Sequence, residues 1–310
     1  WKTISGDEIS SEGKYPVYGA NGKMGFFHEY NHIDETLLIG CRGTCGTLHI
    51  TEKFSYTNGN AMALDNLDKK ANIKFLYYFL SKRGFNDVVS GGVQKQITIQ
   101  NLQRIEIPLP SLATQQRIAA ILDQADAIIQ NNRAIVQKYD ALTQSSSLEM
   151  FGDPVKNEKG WEKKEFSKVA INENSKRIPV KQSDRDEREG EYPYYGATGI
   201  IDTIDDYKFD GEYLLIAEDG KNLLFRKKNN AFMAYGKFWV NNHAHILSCN
   251  NICNLKYLEF FLNSIDLSPF ISGIDQIKLN KASLDRIPVI VPPIELQNQF
   301  AERVAMIEAQ

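Results

Sequence analysis

The feature that most constrains this chain is that it is written twice. Tyr15-Pro16-Val17-Tyr18-Gly19-Ala20-Asn21-Gly22 returns 177 residues later as Tyr192-Pro193-Tyr194-Tyr195-Gly196-Ala197-Thr198-Gly199. Leu37-Leu38-Ile39 returns at the same offset as Leu214-Leu215-Ile216. Further on the offset is 182. Ile73–Leu80 matches Leu255–Leu262, Ser90-Gly91 with Gln94 matches Ser272-Gly273 with Gln276, and Leu102, Arg104, Ile105 and Pro110 match Leu284, Arg286, Ile287 and Pro292. Trp1 and Trp161 open the two copies. A period of about 180 residues is far longer than the 20–50 of a solenoid, so the chain is a duplicated domain rather than a repeat array.

Each copy has an α+β texture. Leu37–Gly40 and Leu214–Ala217 are short apolar runs bounded by glycine or charge, as buried strands are. Asn58-Gly59 is a tight-turn signal, and Gly40, Gly43 and Gly46 punctuate a turn-rich segment. Ile73–Leu80 and Leu255–Leu262 read as short aromatic helices, and Ile105–Ile107 and Ile287–Val291 as closing strands ended by Pro110 and by Pro292-Pro293. After Ser111, a suitable N-cap, the pattern becomes heptad. Ile118, Ala125, Asn132 and Tyr139 recur every seven residues, with Ile121, Ile128, Ile135 and Leu142 three positions later. Such a seam predicts a coiled coil, with Asn132 as a register-fixing polar residue. A second helix begins in the matching place, with Leu296, Phe300, Val304 and Ile307 on one face. The expected organisation is a domain at 1–110, a spacer helix at 111–151, a second domain at 152–292 and the start of a second spacer helix at 293–310.

Composition excludes several classes. The 310 residues carry 36 Lys+Arg against 39 Asp+Glu, a net charge of −3, which argues against tight solitary binding to nucleic acid but not against binding within a larger basic assembly. No apolar run reaches the ~18 residues of a membrane span, and the first residues form no secretory signal, so no membrane association and a cytoplasmic location are expected. The first residue is not Met, which fits a fragment. Cys41, Cys45, Cys249 and Cys253 form two pairs of equal spacing. Cys41-x3-Cys45-x3-His49 invites zinc, but four converging ligands are not seen, so buried or turn cysteines and no metal are expected. No Walker A sequence or G-x-G-x-x-G is present, and Val291-Pro292-Pro293-Ile294 lacks the acceptor and aromatic of a methyltransferase target loop. No catalytic residues are assigned.

Three stretches carry a family resemblance: the Tyr-Pro-Val-Tyr-Gly-Ala-Asn-Gly run at 15–22, the Pro-Ser-Leu-Ala-Thr-Gln-Gln-Arg-Ile entry to the helix at 110–118, and Met150-Phe151-Gly152-Asp153-Pro154-Val155 followed by Lys159-Gly160-Trp161. In this order they resemble type I restriction–modification specificity subunits. The resemblance covers the whole chain, with two departures: the second spacer helix is short, and the interval from tryptophan to the Tyr-Pro motif is 14 residues in the first copy and 31 in the second. It implies two tandem α/β target-recognition domains joined by long helices, paired as an antiparallel coiled coil with pseudo-two-fold symmetry. It also implies a non-catalytic DNA-specificity role on a bipartite target in double-stranded DNA. Methyltransferase subunits and restriction translocase subunits would be the partners, and they, not this chain, would hold S-adenosylmethionine, ATP and magnesium.

Base-reading residues are expected on loops, among types whose donors and acceptors match base edges. In the first copy these are Asn21, Lys23, Arg42, Thr44, Asn58, Asn60, Gln94, Lys95 and Gln96; in the second they are Thr198, Lys221, Asn222, Asn241, Asn242, Gln276 and Lys278. Gln94-Lys95-Gln96 leads because Ser90-Gly91-Gly92 before it frees the backbone for close approach. Arg226-Lys227-Lys228 is expected to contact phosphate, whereas Tyr18 and Tyr195 are expected to pack. Two other readings compete: a coiled-coil protein-interaction scaffold without DNA binding, and an enzyme built on the Cys/His clusters.

Overall fold

The structure, a computed structural model, describes residues 3–65, 67, 70–273 and 276–309. The chain falls into two compact units, Trp1–Ala134 and Ile135–Gln310, and one helix contributes to both.

In the first unit, β1 (Tyr15–Gly19) pairs antiparallel with β2 (Gly22–Phe27), while β3 (Leu37–Gly40) is flanked by β4 (Leu48–Ile50) and, further along, by β6 (Ala61–Leu64). The short β5 (Tyr56–Thr57) runs parallel to β1. Then follow α1 (Ile73–Arg83), the hairpin of β7 (Val89–Ser90) and β8 (Gln96–Ile97), α2 (Ile99–Leu102) and α3 (Leu112–Phe151). Leu37 and Ile39 alternate onto the face covered by Phe75, Leu76 and Leu80 of α1, and this is the main core of the unit. Asn72 caps α1 by accepting from Phe75 N–H, and Ser111 caps α3 by accepting from Thr114 N–H at 3.3 Å.

The second unit repeats the plan with longer strands. Its elements are β9 (Glu162–Glu165), α4 (Phe166–Val169), β10 (Ala170–Asn172), α5 (Gln182–Asp186), β11 (Tyr192–Gly196), β12 (Gly199–Ile204), β13 (Phe209–Ala217), α6 (Asn222–Phe225), β14 (Ala231–Val240) and β15 (Ala244–Cys249). The chain ends with α7 (Leu255–Ser264), α8 (Lys281–Asp285), β16 (Pro288–Val291) and α9 (Ile294–Glu308). One mixed sheet runs β10-β15-β13-β14-β11-β12. The duplication reaches into detail: the β1–β2 ladder slips between Val17 and Tyr18, and the β11–β12 ladder slips between Tyr194 and Tyr195. β14 is continuous, bending at Gly236 (φ +70), whereas the corresponding stretch of the first unit is interrupted at Phe54 (φ +54) between β4 and β5.

Both units fasten the helix that follows them in the same way. Gln115 is fully buried; its Nε2 donates to Pro110 O at 2.8 Å and its Oε1 accepts from Asn72 N–H at 2.8 Å. Gln297, also fully buried, donates to Pro292 O at 2.8 Å and accepts from Asn254 N–H at 2.9 Å. An ion pair adds to each: Lys74 of α1 reaches Asp123 of α3, and Lys256 of α7 reaches Glu308 of α9.

Two expectations are corrected. Ile105–Ile107 form no strand among the described residues; the side chains of Ile105 and Ile107 pack on the α1 core instead, while the matching β16 finds its partner in β9. The heptad seam of α3 is continuous as helix over 40 residues but is covered only at its ends. Ile118 is half-buried beside Ala119 in the first unit. In the second unit α9 runs antiparallel to the last turns of α3, with Arg303 near Glu149 and Phe300 against Phe151. Tyr139 is half-buried, but Ile121, Ile128, Ile135 and Leu142 are 60, 60, 43 and 50% exposed, and Ala125 and Asn132 are exposed as well. The antiparallel approach of α9 is thus confined to the last turns of α3, and the seam residues before them, at 121–135, are exposed.

Replacing Gln297 with Leu strands the Asn254 N–H and the Pro292 carbonyl in the interior. At roughly 1–3 kcal/mol per orphaned group, urea denaturation should show a clear loss of stability. Gln299→Leu, on the exposed face of the same helix, should change it by no more than about 0.5 kcal/mol.

Candidate nucleic-acid interface

At the end of β3 the chain turns through Cys41 and Arg42 and meets two other segments. Cys41 N–H donates to Asn60 O at 2.9 Å, and Ile97 N–H donates to Cys41 O at 2.9 Å. Arg42 and Gln96 form an isolated bridge. The second unit makes the same junction at the end of β13: Glu218 N–H donates to His243 O at 2.8 Å, Leu279 N–H donates to Glu218 O at 2.8 Å, and Asp219 bridges Lys278. Main-chain bonds thus equate Arg42, Asn60 and Gln96 with Asp219, His243 and Lys278. Each junction is completed by a tight glycine turn. Gly91 (φ +96) and Gly273 (φ +87) stand where a Cβ would collide with the carbonyls of Gln94 and Gln276, so the glycines are sterically required.

The side chains on this common frame differ. In the first unit Arg42, Thr44, Asn60, Gln94, Lys95 and Gln96 are all exposed, and Arg42, Gly43 and residues 93–96 line an open cleft. Among the described residues neither Arg42 nor Lys95 has a carboxylate partner. The second unit is self-compensated. Lys278 pairs with Glu218 at 3.3 Å, Arg177 pairs with Glu218 at 2.9 Å, and His243 Nδ1 lies 2.8 Å from Asp219. Burial works against the Glu218 carboxylate, but Arg177, His245 and Lys278 hold its pKa below the ordinary glutamate range. His245, fully buried, bridges Asn174 and the Leu279 carbonyl, and burial pushes its pKa below the usual histidine value.

Several expected readers are engaged by other residues of the fold. Asn58 and Asn241 are buried equivalents: each donates its N–H to the carbonyl of the packed tyrosine, Tyr18 or Tyr195. The Asn58 amide is used on Ile4 O and Gly59 N–H, and that of Asn241 on His243 N–H. Asn222 is committed to Lys228 and Asn230. Arg226, with φ +49, ends α6 and donates to the Asn263 carbonyl. Lys23 is held by Glu52 at 2.9 Å. Asn21 is exposed and Thr198 half-buried at the turns of their hairpins; Lys221, Lys227, Asn242 and Gln276 are exposed. Tyr18 is buried, and Tyr195 packs on Phe232 and Phe238, as expected. Asp219 and His243 are not among the sequence-expected base readers, although the offset of 177 places Asp219 opposite Arg42.

Cys41 and Cys253 are buried, and Cys249 and Cys253 are free thiols on one turn. Burial pushes the Cys253 thiol up to about 12, so it stays protonated at neutral pH. Among the described residues no group of three His, Cys, Asp or Glu side chains is placed to hold a metal ion. At pH 8 a maleimide should label exposed Cys249 while leaving Cys253 unmodified in the folded chain, and mass spectrometry of tryptic peptides checks this.

Comparison with known proteins adds to the geometry. Residues 2–138 and 158–309 match the family described as type I restriction modification DNA specificity domain. A putative type I restriction enzyme specificity subunit of Haemophilus influenzae is 35% identical over 174 residues, 56% of this chain and 40% of that protein. The specificity subunit of the Escherichia coli enzyme EcoprrI is 31% identical over 115 residues, 37% of this chain and 28% of that protein. These matches thus span less than half of either relative. The crystal structure of a type I restriction–modification S subunit from M. genitalium superposes with a TM-score of 0.71 at 18% identity, covering 99% of this chain and 85% of that one. It shares the fold.

Proposed function

The chain belongs to the type I restriction modification DNA specificity domain family, and we propose that it is a non-catalytic specificity subunit whose two domains each read one half of a bipartite target in double-stranded DNA. The observation that carries this reading is the repeated junction: one main-chain frame, held by the same bonds in both units, presents Arg42, Asn60 and Gln96 in one and Asp219, His243 and Lys278 in the other. Identical frames with different polar faces are what two readers of different sequences require.

α3 is the spacer in this reading. At 1.5 Å per residue its 40 residues amount to about 60 Å of helix, against about 34 Å for one turn of DNA. The gap between half-sites follows from helix length, and the bases read follow from the domains. Methyltransferase subunits and restriction translocase subunits are the partners, carrying S-adenosylmethionine, ATP and magnesium. They also supply the phosphate neutralisation that a chain of net charge −3 does not. The setting is the cytoplasm; no described helix is long and apolar enough to cross a membrane. An interaction scaffold without DNA binding leaves the differing faces of the junctions without a purpose.

Co-expression with the cognate methyltransferase subunit in a host free of other DNA methylation, followed by single-molecule sequencing, should reveal one bipartite motif that disappears without this chain. A folded, methyltransferase-bound chain that directs no motif would overturn the reading. Inserting four helical residues beside Asn132 adds about 6 Å, so the gap should change by about two base pairs with both half-sites kept; altered half-site bases would contradict the spacer role.

A further inference from the structure

The geometry points to Arg42 and Asp219 as the positions that set one base of each half-site, with guanine accepted at Arg42 and cytosine at Asp219. The inference rests on the DNA-reading role proposed above and adds to it which residue meets which base. The two residues are equivalent by main-chain bonding, as each follows the residue that receives and donates the junction's hydrogen bonds, Cys41 in one unit and Glu218 in the other. Each also bridges the residue just before the one whose N–H closes the junction, Gln96 before Ile97 or Lys278 before Leu279. A change of side chain here therefore changes what is presented without changing the frame.

The chemistry at the two positions is opposite. Arg42 offers a guanidinium with five donors in a planar fork, is exposed, and has no carboxylate partner among the described residues. Guanine is the base whose major-groove edge offers two adjacent acceptors, O6 and N7, to such a fork. Asp219 offers acceptors only. It is half-exposed, and His243 Nδ1, 3.0 Å from Oδ1 and 2.8 Å from Oδ2, occupies only part of the four lone-pair sites of its carboxylate. A carboxylate approaching DNA is repelled by phosphate, so it is tolerated where a base amine meets it. Cytosine shows the major groove only its N4 amine, whereas adenine sets the N7 acceptor beside its N6 amine, where the second carboxylate oxygen would face it. The nearby cations at Lys278 and Arg177 temper the repulsion without cancelling the acceptor.

The test uses the chain in complex with its methyltransferase subunit and a library of duplexes randomised over both half-sites, sequenced for methylation. The wild-type motif should contain a G·C pair in each half-site that responds to one of these residues alone. Arg42→Ala should cut the preference for that pair by about ten- to a hundredfold in one half-site and leave the other half-site as it was. Arg42→Gln should move the same position towards A·T while retaining methylation, which separates a change of reading from a loss of folding. Asp219→Asn should move one position of the other half-site from G·C towards A·T, because an amide adds the donor that adenine N7 requires. Unchanged motifs in all three variants would overturn the inference while leaving the DNA-reading role standing. So would a uniform weakening of methylation at every sequence with a shallower salt dependence, the mark of a phosphate contact. A wild-type complex that methylates no motif would instead remove the DNA-reading role, and this inference with it.

Discussion

Everything in this molecule hangs on two buried glutamine side chains. Gln115 and Gln297 each tie three pieces of backbone together: the proline carbonyl just before a long helix, the helix itself, and the amide at the start of the aromatic helix beside it. A buried amide group is favourable only when its donors and acceptor are met. Each glutamine meets that condition only when the helix leaves its domain in one direction. The entry of α3 and α9 is therefore set by hydrogen-bond satisfaction, which is directional, in addition to apolar packing, which is not. The Lys74–Asp123 and Lys256–Glu308 pairs, more exposed, support the same alignment at much lower energy.

The junctions at the strand ends show a second kind of economy. In the second unit Glu218 is compensated by Arg177 and Lys278, while the imidazoles of His245 and His243 lie against Glu218 and Asp219. In the first unit the corresponding exposed positions carry Arg42, Asn60 and Gln96, and among the described residues Arg42 has no carboxylate partner. A near-neutral chain can thus hold locally contrasting surfaces, which total charge does not reveal.

Much of the fold was legible because the chain repeats. The offsets between Tyr15–Gly22 and Tyr192–Gly199 and between Ile73–Leu80 and Leu255–Leu262 predicted equivalent strands and helices, and even the ladder slips at Val17 and Tyr194 coincide. Residue type alone failed for asparagines. Asn58 and Asn60 are two positions apart, yet the first turns inward to hold Ile4 and Gly59 while the second faces solvent. Turn-forming and base-reading asparagines have the same side chain, and only burial separates them. Ile105–Ile107 misled for a different reason: alternation identifies a buried face but not a partner strand, and here the face packs on a helix. The heptads of α3 identified the helix and its seam but not how much of that seam is met, since α9 supplies fifteen residues against forty. The glutamine clamps were hidden because a polar residue beside a helix start reads as solvent-facing.

One property of the junctions bears on how such a chain can diversify. The bonds that the two junctions share run between main-chain atoms, and at Gly91 and Gly273 the turns leave no room for a Cβ. Substitutions at the surrounding exposed positions therefore leave these shared bonds untouched. Drift there is nearly neutral for folding, so a population can explore many surface chemistries before selection acts on what they bind. The same architecture can consequently persist through wide sequence divergence, its inheritance lying in the backbone while its diversity lies in the side chains.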